Sequence, residues 1–160
     1  MNEVSPDFPR LVANLLALNA TSEVETSPLD EPALLSMLRT AFHWAAPAQG
    51  RDGLLIAFDQ SADYDGLNFN WFRKRYARFV YVDRVIVADH RRGHGMARGL
   101  YSDLIASMRR EAQTLLTCEI NLNPPNPASL AMHAAIGFEE LSQATLPNGK
   151  TVSYQVLHLP

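Results

Sequence analysis

Cysteine is almost absent: Cys118 stands alone in 160 residues, so the chain cannot form an intrachain disulfide. Its apolar neighbours mark it as a buried filler and make a reducing compartment the expectation. Long apolar runs are absent too. None approaches the roughly 18 residues that a membrane span requires. The first ten residues are polar and carry two prolines, unlike a signal peptide, so a cytoplasmic location without a membrane partner is expected. An excess of positive charge is also missing. A net charge of −3 argues against wholesale nucleic-acid binding, which would need a basic stripe. No internal repeat or low-complexity segment occurs, and the length suits one domain over residues 1–160 with a substantial core.

Against that background the chain is organised around Phe79 to Glu111. Phe79 to Val87 is β-branched and aromatic, with Asp83 and Arg84 its only charged residues, and reads as a buried strand. Met96, Ala97, Leu100, Tyr101, Leu104, Ile105 and Met108 then repeat at the spacing of one buried helix face. Between them lies Arg91-Arg92-Gly93-His94-Gly95-Met96-Ala97. Glycine lets backbone N–H groups turn outward at a helix N-terminus, where unpaired amides and the helix dipole favour a phosphate. His90, Arg91, Arg92, His94 and Arg98 form a local basic cluster around this candidate anion site. Spelling excludes two familiar nucleotide loops. No lysine follows the glycines as a P-loop requires. The third glycine of a dinucleotide fingerprint is displaced, with Arg98 in its place and Gly99 one residue late.

The remaining chain alternates helices and strands. Met1 to Pro9 reads as a frayed start, followed by a helix whose Leu11, Val12, Leu15, Leu16 and Leu18 recur at helical spacing. Ser27-Pro28-Leu29-Asp30 has the form of a second helix start, with Leu34, Leu35 and Leu38 as its buried stripe. Phe42 to Pro47 and Leu54 to Asp59 read as short strands joined by a glycine-containing loop. Gln60 to Arg78 reads as a long irregular segment that mixes aromatics with amides. Leu115 to Leu122 is a second buried strand, and the strand–helix–strand order implies a right-handed crossover to a parallel neighbour. Asn126 and Pro127 open a further helix lined by Leu130, Met132, Ala135 and Ile136, which Gly137 ends. Phe138 to Leu146 and Thr151 to Leu159 close the chain as a hairpin. The fold class is mixed α/β.

Two motifs in this order resemble a known family. Arg92-x-x-Gly95-x-Ala97 fits the Gln/Arg-x-x-Gly-x-Gly/Ala pyrophosphate loop of the GNAT N-acetyltransferase superfamily, preceded by the apolar strand Val85-Ile86-Val87. Asn126-x-x-Ser129-x-x-Met132-His133-x-x-x-Gly137-Phe138 is similar to that superfamily's second signature. The order of elements matches from about Ser27 to Leu159, and residues 1–26 match least, with no convincing first strand. The resemblance implies a single-domain acyl-CoA N-acyltransferase fold, a central mixed twisted sheet flanked by about four helices.

It also implies roles. The amides of Arg92, Gly93, His94, Gly95, Met96 and Ala97 would hold the coenzyme A pyrophosphate. The backbone of Val85, Ile86 and Val87 would pair with the pantetheine, one amide polarising the thioester carbonyl. Asn126 and Ser129 would contact the pantetheine or adenosine arm, although as residues they read equally well as helix caps. His133 stands where many relatives carry a tyrosine acid. It would contact the coenzyme and protonate or stabilise the leaving thiolate. Asp83 and Glu119 are the two candidates for the base, and either could instead partner Arg84. Tyr64, Asn68 and Trp71, with the two carboxylates, would form an aromatic and acidic acceptor site. The implied activity is transfer of an acetyl group from acetyl-CoA to a primary amine of a small molecule, an amino-acid-like compound or a protein N-terminus. No metal is expected, and a homodimer through a sheet edge or the Trp71 segment is conceivable. A catalytically silent acyl-CoA sensor on the same fold is the alternative.

Overall fold

The computed structural model describes residues 7–160. Of the start that reads as frayed, Met1 to Pro6 lie outside the described residues, and α1 (Phe8–Ala20) already includes the rest of it beyond Asp7. The second helix begins later than the sequence suggests. Asp30, not Ser27, caps α2 (Glu31–Thr40) by accepting from the Ala33 amide at 2.9 Å. Ser27 is unavailable because its hydroxyl takes a hydrogen bond from Arg84. Leu34 and Met37 are the buried residues of α2, with Leu35 and Leu38 half-buried beside them.

β1 (His43–Ala45) and β2 (Gly53–Asp59) form the first antiparallel pair. Their connection is tighter than a simple hairpin, because Ala48, Gln49 and Gly50 all take left-handed backbone angles. The segment read as irregular contains a short helix, α3 (Leu67–Arg73), which buries Phe69 and Phe72. Its seven residues are too few for apolar periodicity to stand out from the surrounding aromatics. β3 (Val80–Val87), α4 (Met96–Arg110) and β4 (Leu115–Asn123) follow as the predicted strand–helix–strand unit. α5 (Pro127–Ile136) is capped by Asn126 and ended by Gly137, whose φ of +117° suits glycine. Its buried face centres on His133; Ala135, expected on that face, is exposed. β5 (Glu139–Thr145) and β6 (Thr151–His158) make the closing hairpin.

The sheet order is β1-β2-β3-β4-β6-β5, antiparallel throughout except for β3 and β4. α1, α2 and α3 cover one face through Leu15, Leu34, Phe69 and Phe72, packed on Phe58, Phe79 and Tyr154. α4 and α5 cover the other through Leu100, Tyr101 and Leu104 on Val80, Leu116 and Cys118. Each such fully buried aromatic or aliphatic side chain contributes about 1.5–3 kcal/mol.

Two irregularities of β3 shape everything that follows. Ile56 pairs with Arg84 but its neighbour Ala57 pairs with Val82, which leaves Asp83 as an extra, bulged residue. β3 and β4 pair only at Val80↔Leu116 and Tyr81↔Thr117. Beyond Tyr81 the two parallel strands part, and the side of β3 from Val82 onward finds no partner strand in β4.

Candidate active site

Two cavities meet where β3 and β4 part. The larger is a groove of about 560 Å³ along Val85, Ile86 and Val87, the turn Arg91–Gly95, the start of α4 and the start of α5. Gly93 and Gly95 hold φ of +76° and +77°, and a Cβ at either would meet nothing within 4 Å. The glycines are thus required by the backbone and leave the turn open. Gly95 precedes α4, and no side chain caps that helix. The first-turn amides therefore lack intrahelical partners and face the groove with the positive end of the dipole. Arg91, Arg92 and Arg98 line the same wall, and Arg98 ties α4 to α5 through the Ala135 carbonyl at 3.2 Å. The groove suits an elongated ligand with a polyanionic end.

The smaller cavity is a slot of about 60 Å³ between the parted strands. Asp83 and Val85 line it from β3, Cys118, Glu119 and Asn121 from β4, and Tyr101 and His133 from the two helices beneath. Glu25 and Thr26 line it from the segment between α1 and α2. Val85, Asn126, Ser129 and Glu25 border both cavities, so the groove opens into the slot.

A polyanion cradle that leads into a narrow slot holding carboxylates has the layout of a group-transfer site. The sequence pattern of the acetyltransferase (GNAT) family matches residues 15–138. The chain belongs to the GNAT acetyltransferase family. Among solved structures, Ard1 from Thermoplasma volcanium matches with a TM-score of 0.73 at 11% identity, covering 95% of this chain and 93% of that one. The NatC complex bound to Gag peptide and CoA matches with a TM-score of 0.70 at 18% identity, covering 94% and 91%. The ribosomal-protein-alanine N-acetyltransferase from Brucella melitensis matches with a TM-score of 0.64 at 19% identity, covering 99% and 98%. At these identities the likeness is one of fold. No curated protein matches the sequence.

Within this GNAT domain, the residues singled out from the sequence fall into distinct settings. Val85, Ile86, Val87, Arg92, Gly93, Gly95, Met96, Ala97, Asn126 and Ser129 line the groove, whereas His94 is exposed and does not. Asn126 also caps α5 by accepting from the Ser129 amide at 3.3 Å, so its capping and lining positions coincide.

The two carboxylates differ sharply. Asp83 is engaged on both oxygens: Arg84 Nε donates to Oδ2 at 2.8 Å and the Tyr64 hydroxyl donates to Oδ1. Arg84 in turn donates to Asn19 Oδ1 at 2.6 Å and to Ser27 Oγ at 3.2 Å, which fixes the α1–α2 segment to the bulge. Glu119 has no such cation. Its Oε2 is buried without a hydrogen-bond partner among the described residues. Burial pushes its carboxyl up to about 8, only partly offset by the Tyr81 hydroxyl and the Asn68 amide beside it.

His133 is 2% exposed and lines the slot rather than the groove. Its Nδ1 lies 2.7 Å from the Ser129 carbonyl, which must accept, so Nδ1 carries the proton. Nε2 is then the acceptor for the Tyr101 hydroxyl at 2.6 Å. Burial lowers the imidazole pKa, so this neutral tautomer is the resting one. Both ring nitrogens are committed within the protein.

Tyr64 and Asn68 stand behind the carboxylates rather than in either cavity: Tyr64 on Asp83, Asn68 accepting from the Tyr154 hydroxyl at 2.9 Å. Trp71 lines neither cavity. One indole face stacks on Tyr154 at 3.9 Å and Arg75 covers the ring at 3.5 Å, so it has a packing role. Sequence reading missed Glu25, Thr26, Asn121, Tyr101 and Cys118 as slot residues. The first two lie in the polar stretch Ala20 to Ser27, which carries no motif to mark it. Asn121 and Cys118 lie on β4 where it parts from β3, and Tyr101 reaches the slot from α4.

Proposed function

We propose that this GNAT-family protein moves the acetyl group of acetyl-CoA to a primary amine by direct attack on the thioester. The observation that carries the reading is the junction of groove and slot, with an unpartnered carboxylate oxygen, Glu119 Oε2, in the slot. The NatC match is described as bound to CoA and a peptide, which makes coenzyme A the ligand to test first. The residues fit it. Open left-handed glycines, uncapped helix amides and three arginines suit a pyrophosphate, and the unpaired side of β3 suits an extended arm with amides of its own. When bound, acetyl-CoA supplies an activated acetyl thioester.

In this reading Glu119 is the base. An attacking amine must be neutral, and a carboxylate with a pKa near neutrality accepts its proton effectively. Asp83 is assigned to structure, because its charge is already spent on Arg84 and Tyr64. A β3 amide on the side abandoned by β4 is the candidate donor to the developing oxyanion. His133 in its resting tautomer holds Tyr101 and Ser129, so it has no free proton for the thiolate. That observation favours the second reading, a silent acyl-CoA sensor. The free oxygen of Glu119 favours catalysis.

Calorimetric titration of acetyl-CoA into the parent and Gly95→Glu tests the cofactor, since the variant brings a carboxylate and a strained backbone into the turn. Binding by the parent with at least about a tenfold loss in the folded variant is expected, equivalent to about 1.4 kcal/mol. Thiol release on adding a small amine supports the enzyme. Binding without release against a broad set of amines supports the sensor, and no binding by the parent removes both.

A further inference from the structure

We propose that Lys150 is a self-acetylation site, its side-chain amine accepting an acetyl group at the mouth of the slot. The inference rests on the acetyl-transfer reading above. Lysine is scarce in this chain: Lys74 and Lys150 are the only two. Lys74 follows α3 at its exposed C-terminal end. Lys150 closes the β5–β6 turn, and its Nζ donates to the Val24 carbonyl at 2.8 Å. Asn121 Nδ2 donates to that same oxygen at 3.2 Å. Because they share one acceptor, the lysine amine lies within two hydrogen-bond lengths of the Asn121 amide nitrogen. Asn121 lines the slot, as do Glu25 and Thr26, the two residues after Val24.

The amine is therefore parked on the rim of the cavity that holds Glu119. It is also lightly held. No carboxylate among the described residues pairs with Lys150, and the bond to Val24 is the one hydrogen bond its side chain makes among them. The turn itself is fixed independently of the side chain, by the Lys150 amide donating to Asn148 Oδ1 at 3.0 Å. The ammonium can leave Val24 without unfolding the hairpin.

Once the ammonium has released a proton to solvent, the neutral Nζ forms a bond to the acetyl carbonyl carbon and the carbon–sulfur bond breaks. The thiolate leaves as coenzyme A. The proton lost by nitrogen passes to the Glu119 carboxylate and ends on the thiolate, so an amine and a thioester become an amide and a thiol. The product lacks the ammonium charge, and its remaining N–H is a weaker donor to Val24. Acetylation thus loosens one of the two side-chain bonds on the Val24 carbonyl, next to Glu25 and Thr26 on the slot wall.

The test is intact-mass measurement and peptide mapping of the full chain after incubation with acetyl-CoA, for the parent, Lys150→Arg, Lys74→Arg and folded Gly95→Glu. The expected result is one acetyl group on Lys150 in the parent and in Lys74→Arg, at a rate per molecule that does not change on dilution. The mark is lost in Lys150→Arg and in Gly95→Glu. Equal marking of both lysines in the parent and in Gly95→Glu would mean uncatalysed chemistry in solution and overturns the proposal, as would a mark on the Met1 amine alone. A parallel incubation with an added small amine reads the underlying reaction separately. Transfer to that amine with Lys150 unmarked rejects self-acetylation and leaves the enzyme reading intact; neither transfer nor mark rejects both.

Discussion

Two carboxylates that line the same slot from neighbouring strands give opposite answers to the question of what a buried acid is for. Asp83 has a guanidinium at 2.8 Å and a phenol on its other oxygen, so its charge is matched. Glu119 has a buried oxygen with no partner among the described residues, and its carboxyl is raised to about 8 chiefly by burial. The first arrangement holds structure together, and the second is the one we propose as the base. Glu119→Gln keeps the shape and removes the acceptor. The expected outcome is a fall in kcat of about 10²–10⁴-fold, with acetyl-CoA affinity unchanged by calorimetry. The pH profile adds a sign. A base works only when ionised, so the parent rate should climb as pH rises through about 8, and the residual rate of the glutamine variant should lack that limb. A variant that keeps both the rate and the limb would move the base elsewhere.

At the scale of elements, the site depends on one extra residue in β3. The bulge at Asp83 places Asp83 and Arg84 where Arg84 can reach Asn19 and Ser27, and β4 parts from β3 just before it. Asp83→Asn tests this. It leaves a buried guanidinium without its counter-charge and should cost about 3 kcal/mol in urea unfolding, a loss that Glu119→Gln should not show near neutral pH. The same elements mark how far the sequence could be read. The apolar strand, the glycine turn and the amphipathic α4 were legible because each is a local pattern with a local cause. α5 and its cap were legible for the same reason, in Asn126-Pro127 and Gly137. The bulge was not. It is a register shift against β2, visible only when Ile56 and Ala57 are paired. Nor was the cap of α2, because Ser27 and Asp30 are both good capping residues and the choice is made by Arg84, a partner distant in sequence. Trp71 and Tyr64 were expected as acceptor contacts because aromatics near a site suggest one, and their side-chain partners were not legible. Their ring faces and hydroxyl are taken by Tyr154, Arg75 and Asp83.

For the whole molecule, the open sheet sets the proposed catalysis against stability. If β3 and β4 paired along their full length there would be no slot, and Glu119 would not have a buried, unpartnered oxygen in one. A carboxyl raised from 4.5 to about 8 means that the folded protein holds a proton that the unfolded chain releases between those values. The folded state binds more protons in that window, so stability must fall as pH rises through it and level off above the folded value. The loss from this one group is on the order of a few kcal/mol, a sizeable part of the 5–15 kcal/mol that typical domains hold. Glu119→Gln cannot ionise and should escape it. Melting temperatures of parent and variant should nearly coincide close to pH 5, separate up to about pH 8 and hold that gap toward pH 9, the variant ending the more stable. The ionisation that the proposed base requires is then the same one that strains the fold. Curves that stay parallel across the range would show that the slot hydrates Glu119 well enough to remove the cost, and with it the raised pKa on which its role as base depends.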